Sequence, residues 1–202
     1  MLSRVTYLLL ALTLSAQVAR ADCECLWQGS FVDVQSTTDL VVSGQVVAGK
    51  GNSIDLKLHQ TLRGTTHQER IRIWLQTGEL CRPPAELFPE GSEWLMALHK
   101  LHEQPPGGFD PATPNISHGR VGDYSLSSCG GYWLSQSGNF VTGNLIDAPR
   151  WEREPKMSPV LIDLVQSYID GKVGRSALAQ ASREDPALKE LMLDTKAFLR
   201  EE

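Results

Sequence analysis

The chain has 202 residues with 19 basic and 24 acidic side chains, a formal net charge of -5 at pH 7. That length suits one domain with an appendage and is ample for a hydrophobic core. The acidic balance argues against a nucleic-acid partner, because no basic stripe is present to replace the counterions of a phosphate backbone.

The amino terminus predicts a secretory signal peptide over residues 1–21. Arg4 is followed by an apolar run over 7–14 and by the small-residue exit Ala19-Arg20-Ala21, which predicts cleavage after Ala21. The apolar core is about eight residues long, against roughly 18 to 20 for a membrane span. We therefore expect an exported chain, secreted or periplasmic, with no membrane span. Its mature form carries a formal charge of -7, since Arg4 and Arg20 are removed.

All four cysteines follow the predicted cleavage site, at Cys23, Cys25, Cys81 and Cys129. In an oxidising compartment, thiols that reach each other form disulfides. Cys23 and Cys25 diverge on an extended backbone and do not join comfortably, which leaves two pairings open. Either pairing clamps the amino-terminal Cys-Glu-Cys to two distant points. The alternative is that Cys-Glu-Cys forms a soft-metal site or a redox pair, but the usual Cys-x2-Cys partner pair of a zinc site is missing from the sequence.

Residues 38–146 predict an all-β domain. The segment 54–59 alternates apolar with polar residues at period two, as a half-buried strand should, and in the next strand Ile71, Ile73 and Leu75 alternate with Arg70, Arg72 and Trp74. Turn signals rich in glycine separate the strands. Short strands with frequent turns and two disulfides indicate a small closed or partly closed barrel. The predicted strands cover residues 39–47, 54–59, 70–75, 94–98, 122–127, 132–135 and 140–146.

Residues 147–202 predict a carboxy-terminal helical extension. Ser158-Pro159 is typical of a helix start, and Gly171 predicts the end of that helix. Asp185-Pro186 repeats the start signal and is followed by an apolar stripe at helical spacing. We expect these helices to pack on the barrel or on each other.

Motifs of the common enzyme classes are missing from the sequence: it has no His-Glu-x-x-His, no Gly-x-Ser-x-Gly and no phosphate-binding glycine loop. His99 and His102 have a spacing that places two imidazoles on one helical turn. Their segment is instead typical of a strand end that runs into a loop, which favours solvated histidines. Asp110 and Asp123 lie in predicted loops with nothing to mark a catalytic pair. We therefore expect a non-enzyme with no cofactor.

Residues spread along the β region resemble those of a known family. In chain order they resemble the netrin-like module, and in particular the amino-terminal domain of the tissue inhibitors of metalloproteinases. The resemblance covers about residues 23–146, so the expected domain is 22–146. The residues that carry it are Cys23-Glu24-Cys25, the strand at 39–47, Thr61-Leu62-Arg63-Gly64, Cys81, Gly91-Ser92-Glu93-Trp94-Leu95 and Ser127-Ser128-Cys129.

The resemblance implies a fold and a disulfide pairing. The expected fold is mainly β, a small five-stranded OB-type barrel clamped by two disulfides and followed by the carboxy-terminal helices. The family order of disulfides implies that Cys23 is bonded to Cys81 and Cys25 to Cys129.

The resemblance also implies a way of binding a partner. In that family the amine and carbonyl oxygen of a first-residue cysteine displace water from the zinc of a target protease. Cys23 holds that position here, and it is a zinc ligand only if it is the mature amino terminus. The predicted cleavage leaves Asp22 in front of it, which makes the Cys23 nitrogen an amide. The expected partner-binding residues are Cys23, Glu24, Cys25, Leu26 and Trp27.

Two functions therefore stay open. The first is a secreted or periplasmic protein-binding module that inhibits a metalloprotease through its clamped amino terminus. The alternative is a non-inhibitory structural or adaptor protein of an envelope or extracellular space, which binds a partner through the barrel or the carboxy-terminal helices.

Overall fold

A computed structural model describes residues 23–78, 80–105, 117–147 and 157–183. The expected signal peptide, Asp22, Asp110 and the helix predicted after Asp185 lie outside these ranges. Within them, no helix has both the length and the apolar character needed to cross a membrane.

The described ranges contain eight strands and three short α-helices, with two 3₁₀ turns at Gln35–Thr37 and Ala85–Leu87. The elements are α1 (Phe31–Val34), β1 (Leu40–Lys50), β2 (Ser53–Arg63), β3 (Arg70–Trp74), β4 (Glu93–Lys100), β5 (Tyr124–Ser125), β6 (Trp133–Ser137), β7 (Phe140–Gly143), β8 (Val160–Leu161), α2 (Ile162–Ile169) and α3 (Arg175–Ala181).

Five of the strands close a barrel. β1 pairs antiparallel with both β2 and β4, and β2 pairs antiparallel with β3. β5 completes the ring, parallel to β3 and antiparallel to β4. The order β1-β2-β3-β5-β4 therefore returns to β1, as in an OB-type barrel. The predicted fold, a mainly β five-stranded barrel with two disulfides and helices after it, is confirmed.

β1 pairs along both of its edges, and its pairing with β2 is irregular. Its pairing with β2 shifts register at three places, between Val41 and Val42, between Ser43 and Gly44, and between Val46 and Ala48. A Cβ at Gly44 would lie 2.4 Å from the carbonyl oxygen of Lys57. Glycine at this position therefore allows the close approach of β1 and β2 that the curvature of the barrel requires.

Apolar side chains fill the barrel, and one of them departs from the predicted alternation. Ile71 and Ile73 are buried as expected, but Trp74 is also only 2% exposed. Its Nε1 donates to Asp123 Oδ2 at 2.8 Å, and the guanidinium of Arg120 lies 6.0 Å from the ring centroid. Trp74 is therefore buried like the residues with which it alternates, because the turn before β5, with Arg120 and Asp123, lies against its ring.

The sheet continues beyond the barrel through β6, β7 and β8. Val160 and Leu161 pair with Val141 and Phe140 as β8, so α2 begins at Ile162 rather than at the predicted Ser158-Pro159. Cross-strand pairing holds these residues extended, which a helix-start signal in the sequence does not reveal. The predicted end is confirmed, since Asp170 caps α2 and Gly171 follows with φ +73°.

Both carboxy-terminal helices pack on the rest of the described chain. Val165 of α2 and Leu178 of α3 are fully buried in the same hydrophobic cluster as the barrel residues. Gln166 Nε2 also donates to the carbonyl oxygen of Leu62 at 3.0 Å, which ties α2 to the end of β2.

Candidate functional site

Two disulfides fix the amino-terminal ridge, which we define as residues 23–27. Cys23 is bonded to Cys81 with Cα atoms 5.1 Å apart, and Cys25 to Cys129 with Cα atoms 5.8 Å apart. The Ser128 N–H also donates to the carbonyl oxygen of Cys81 at 3.0 Å, which joins the two anchoring segments to each other. This pairing is the one that the resemblance implied, and no cysteine of the chain is free.

Backbone hydrogen bonds extend the clamp just past the ridge. The Gln28 N–H donates to the carbonyl oxygen of Cys129 at 2.8 Å, and the Gly131 N–H donates to that of Gly29 at 2.9 Å. The Tyr132 hydroxyl donates to Gln28 Oε1. Covalent and hydrogen bonds thus reach the same neighbouring segment, so the ridge and the residues after it have little conformational freedom.

Side chains of the ridge alternate between half-buried and exposed. Cys23, Cys25 and Trp27 are half-buried, whereas Glu24 and Leu26 are exposed. Leu26 is 90% exposed, more than any other large hydrophobic side chain of the described residues. A backbone that the two disulfides fix therefore holds a large apolar side chain out in solvent.

A charged network supports the turn after the ridge. Asp33 Oδ2 accepts hydrogen bonds from the Ser30 N–H at 2.9 Å and from Ser30 Oγ at 2.6 Å, which caps α1. Arg175 of α3 donates to Asp33 Oδ1 and to Asp147 Oδ1, each at 2.5 Å. Burial raises the pKa of Asp33, but the hydrogen bonds from Arg175 and Ser30 outweigh it and leave that pKa below its usual value. The ion pair thus connects α3 to α1, the helix that follows the ridge.

The same clamp brings all four sulfur atoms together, within 4.8 Å of one another. Cys129 is buried, and Cys23, Cys25 and Cys81 are half-buried. The sequence argument against a metal site rested on the missing Cys-x2-Cys pair. The fold nevertheless brings the four distant cysteines together. In the structure the sulfurs are joined as disulfides, which offer no thiolate to a metal ion.

The two histidines that share a helical spacing do not form a site. β4 ends at Lys100, so the predicted strand end is confirmed. His99 is half-buried with its ring 5.5 Å from that of Tyr132, and burial lowers its pKa, partly offset by Asp39. His102 is exposed, with Nε2 3.4 Å from Asp39 Oδ1. The expectation of solvated histidines therefore fits His102 and not His99.

Sequence reasoning found the ridge but missed what supports it. The spacing of Ser30 and Asp33 resembles a capping box and was a usable signal. The pair of Asp33 and Arg175 joins residues 142 positions apart, and no local pattern predicts such a contact.

No protein-family model, curated protein or solved structure matches the chain. These comparisons therefore assign the chain to no family. The two disulfides are themselves consistent with an extracellular or periplasmic location.

Proposed function

We propose that the chain is an exported, netrin-like protein-binding module, related to the tissue inhibitors of metalloproteinases, whose ridge contacts the partner. One observation carries the proposal: Leu26 is 90% exposed on a segment that two disulfides hold. Full burial of a leucine side chain contributes about 1.5 to 3 kcal/mol. A ridge that is already rigid loses little conformational entropy on binding, so most of that contribution remains as affinity.

The role we propose is binding and not catalysis. Of the two carboxylates that the sequence left unassigned, Asp123 accepts a hydrogen bond from the buried Trp74 indole, and Asp110 lies outside the described residues. His99 is half-buried against Tyr132, and His102 is exposed with Nε2 3.4 Å from Asp39, whose carboxylate also acts on His99. The support for a binding role is therefore the exposed ridge.

The partner class we propose is a secreted zinc metalloprotease. The α-amine and carbonyl oxygen of Cys23 occupy the open position of the protease zinc, while Glu24 and Leu26 face its substrate groove. Ligation requires a free amine at Cys23. If cleavage after Ala21 leaves Asp22 in place, that nitrogen is an amide with no free lone pair. Inhibition is therefore expected only of a form that begins at Cys23.

The test compares two correctly oxidised proteins, one beginning at Asp22 and one at Cys23, against a panel of secreted zinc proteases. We expect the Cys23 form to inhibit and the Asp22 form not to. Inhibition should weaken as the pH falls, because protons compete with zinc for an amine whose free pKa is about 8. Equal inhibition by both forms would show binding that does not use the amine. If neither form inhibits any protease, the chelating mechanism is wrong.

A second candidate function is favoured by a different surface. Phe140 and Leu161 lie opposite each other across β7 and β8, and they are 46% and 48% exposed. This apolar pair suits a non-inhibitory adaptor that binds an envelope or extracellular partner through the end of the sheet. Partner binding that is lost in Phe140→Ser and kept in Leu26→Ser would identify the adaptor function.

A further inference from the structure

The four cysteine sulfurs form the most compact group of metal-ligating atoms among the described residues, all within 4.8 Å of one another. A tetrahedral zinc site with metal–sulfur bonds of about 2.3 Å places its sulfurs about 3.8 Å apart. Once both S–S bonds are open, each bonded pair has to separate to that distance. The two pairs are already close enough to share one ion.

We propose that the reduced protein binds one Zn²⁺ ion through Cys23, Cys25, Cys81 and Cys129, at the position that the two disulfides occupy in the oxidised protein. This inference goes beyond the proposed function, because it uses the four sulfur atoms and neither the terminal amine nor Leu26. Four protein ligands make a closed site of the structural type, with no position left for substrate.

The backbone keeps the ligands together without the S–S bonds. The hydrogen bond from Gln28 to Cys129 holds the ridge beside one anchor, and the bond from Ser128 to Cys81 holds the two anchors beside each other. Reduction breaks neither of these bonds. The ligand-bearing segments therefore stay adjacent when the thiols form, which lowers the entropic cost of assembling the site.

The chemistry balances with a dithiol as reductant. Two dithiol molecules each give two electrons and two protons to one disulfide, and each becomes a disulfide itself. The four resulting thiols then bind Zn²⁺ as thiolates and release four protons, which leaves a cluster of charge -2. An added disulfide-forming oxidant reverses the sequence: it takes up four electrons, re-forms both S–S bonds and releases the ion.

The experiment titrates the reduced, full-length mature chain with Co²⁺, a spectroscopic substitute for zinc, under anaerobic conditions. We expect one ion per chain, with the charge-transfer and d–d absorption of a tetrahedral four-thiolate site, and displacement by Zn²⁺. The oxidised chain should show none of this absorption. A diamide-type oxidant should release one Zn²⁺ per chain from the loaded protein. Absorption typical of three or fewer thiolates, or equal binding by the oxidised chain, overturns the proposal.

Two variants sharpen the result. Cys81→Ser removes one ligand and should weaken zinc binding by more than about tenfold. Substitution of residues that only support the ligands of a metal site already weakens binding by at least that much. The double variant His99→Ala, His102→Ala should bind as tightly as the parent chain. Since Cys81→Ser can itself impair folding, circular dichroism of the reduced parent chain is compared with Zn²⁺ and with a chelator. Zinc that restores native structure in the reduced chain, or raises the temperature at which it unfolds, supports the site, and a reduced chain in which zinc changes neither overturns it.

Discussion

The Gln28 N–H lies 2.8 Å from the carbonyl oxygen of Cys129, the residue to which Cys25 is bonded through sulfur. The disulfide at Cys25 and the hydrogen bond at Gln28, three residues later, thus connect the amino-terminal segment to the same residue, Cys129. The backbone between them has almost no freedom to turn. Leu26 lies inside this span, so the backbone that carries this exposed side chain is held in a defined position.

The disulfides should supply a large part of the stability. The double variant Cys23→Ser, Cys81→Ser removes one bridge without leaving a free thiol, and we expect the free energy of unfolding to fall by about 2 to 5 kcal/mol. Urea denaturation under oxidising conditions measures the change. As a control, the substitution Ser128→Ala next to Cys129 should change the free energy of unfolding by less than about 0.5 kcal/mol. An unchanged midpoint in the double variant would contradict the clamp.

The hydrogen bond between Trp74 and Asp123 predicts a graded pair of variants. Asp123→Ala leaves the buried Trp74 N–H without an acceptor and should cost about 1 to 3 kcal/mol of unfolding free energy. Asp123→Asn keeps a side-chain oxygen that accepts the same bond, so it should cost less. Chemical denaturation of the two variants side by side tests the role of the bond, and equal losses would show that the bond is unimportant.

Leu26 and Leu134 separate binding from stability. Leu26→Ala should leave the free energy of unfolding within about 0.5 kcal/mol of the parent, because the side chain is exposed. Leu134→Ala, at a fully buried position of β6, should cost about 2 to 5 kcal/mol. In the form that begins at Cys23, Leu26→Ala should also weaken protease inhibition. A Leu26 variant that is strongly destabilised would mean that the side chain packs within the protein.

The network of Asp33 and Arg175 predicts a dependence on pH. The pKa of Asp33 is lower in the folded protein than its usual value of 3.8, so the unfolded chain binds the proton more readily. The stability that this carboxylate contributes is therefore complete above its usual pKa and is lost as the pH falls through the lower, folded pKa. Arg175→Met should reduce stability at pH 7 by about 0.2 to 1 kcal/mol per ion pair, since these groups are partly exposed.

Acid denaturation curves of the two proteins provide the measurement. The difference between parent and Arg175→Met should shrink below the usual pKa of an aspartate, because protonated Asp33 no longer attracts the guanidinium. Lys57→Met is the matched control, since it removes the same charge from an exposed position of β2. A difference that stays constant down to strongly acidic pH, or that the Lys57 variant reproduces, would contradict the proposed ion pair.

Local patterns predicted the strands because β2 and β3 alternate apolar with polar residues over much of their length, while β1 and β4 carry short apolar runs next to turn signals. They failed where distant partners decide the conformation. Val160 and Leu161 became a strand because β7 pairs with them, and Trp74 became buried because the turn before β5 covers its ring and supplies Asp123 as the acceptor for its N–H. The helices α1 and α3 were not predicted, since four and seven residues carry too little periodicity to stand out.

The candidate site divides in the same way. The position of the ridge followed from the Cys-x-Cys motif next to a cleavage signal, and the residues alone left two disulfide pairings open. Only the resemblance chose between them. The convergence of all four sulfurs and the support from Arg175 depend on how the barrel closes, and no spacing in the sequence encodes either feature.

Peptide mapping of the exported protein without reduction tests the clamped ridge most directly. Cleavage after Glu24 separates Cys23 from Cys25, so mass spectrometry assigns each bridge and shows whether Asp22 is present. We predict one linked peptide that joins Cys23 to Cys81 and another that joins Cys25 to Cys129. A link between Cys23 and Cys129, or cysteines that alkylate before any reductant is added, would contradict the account.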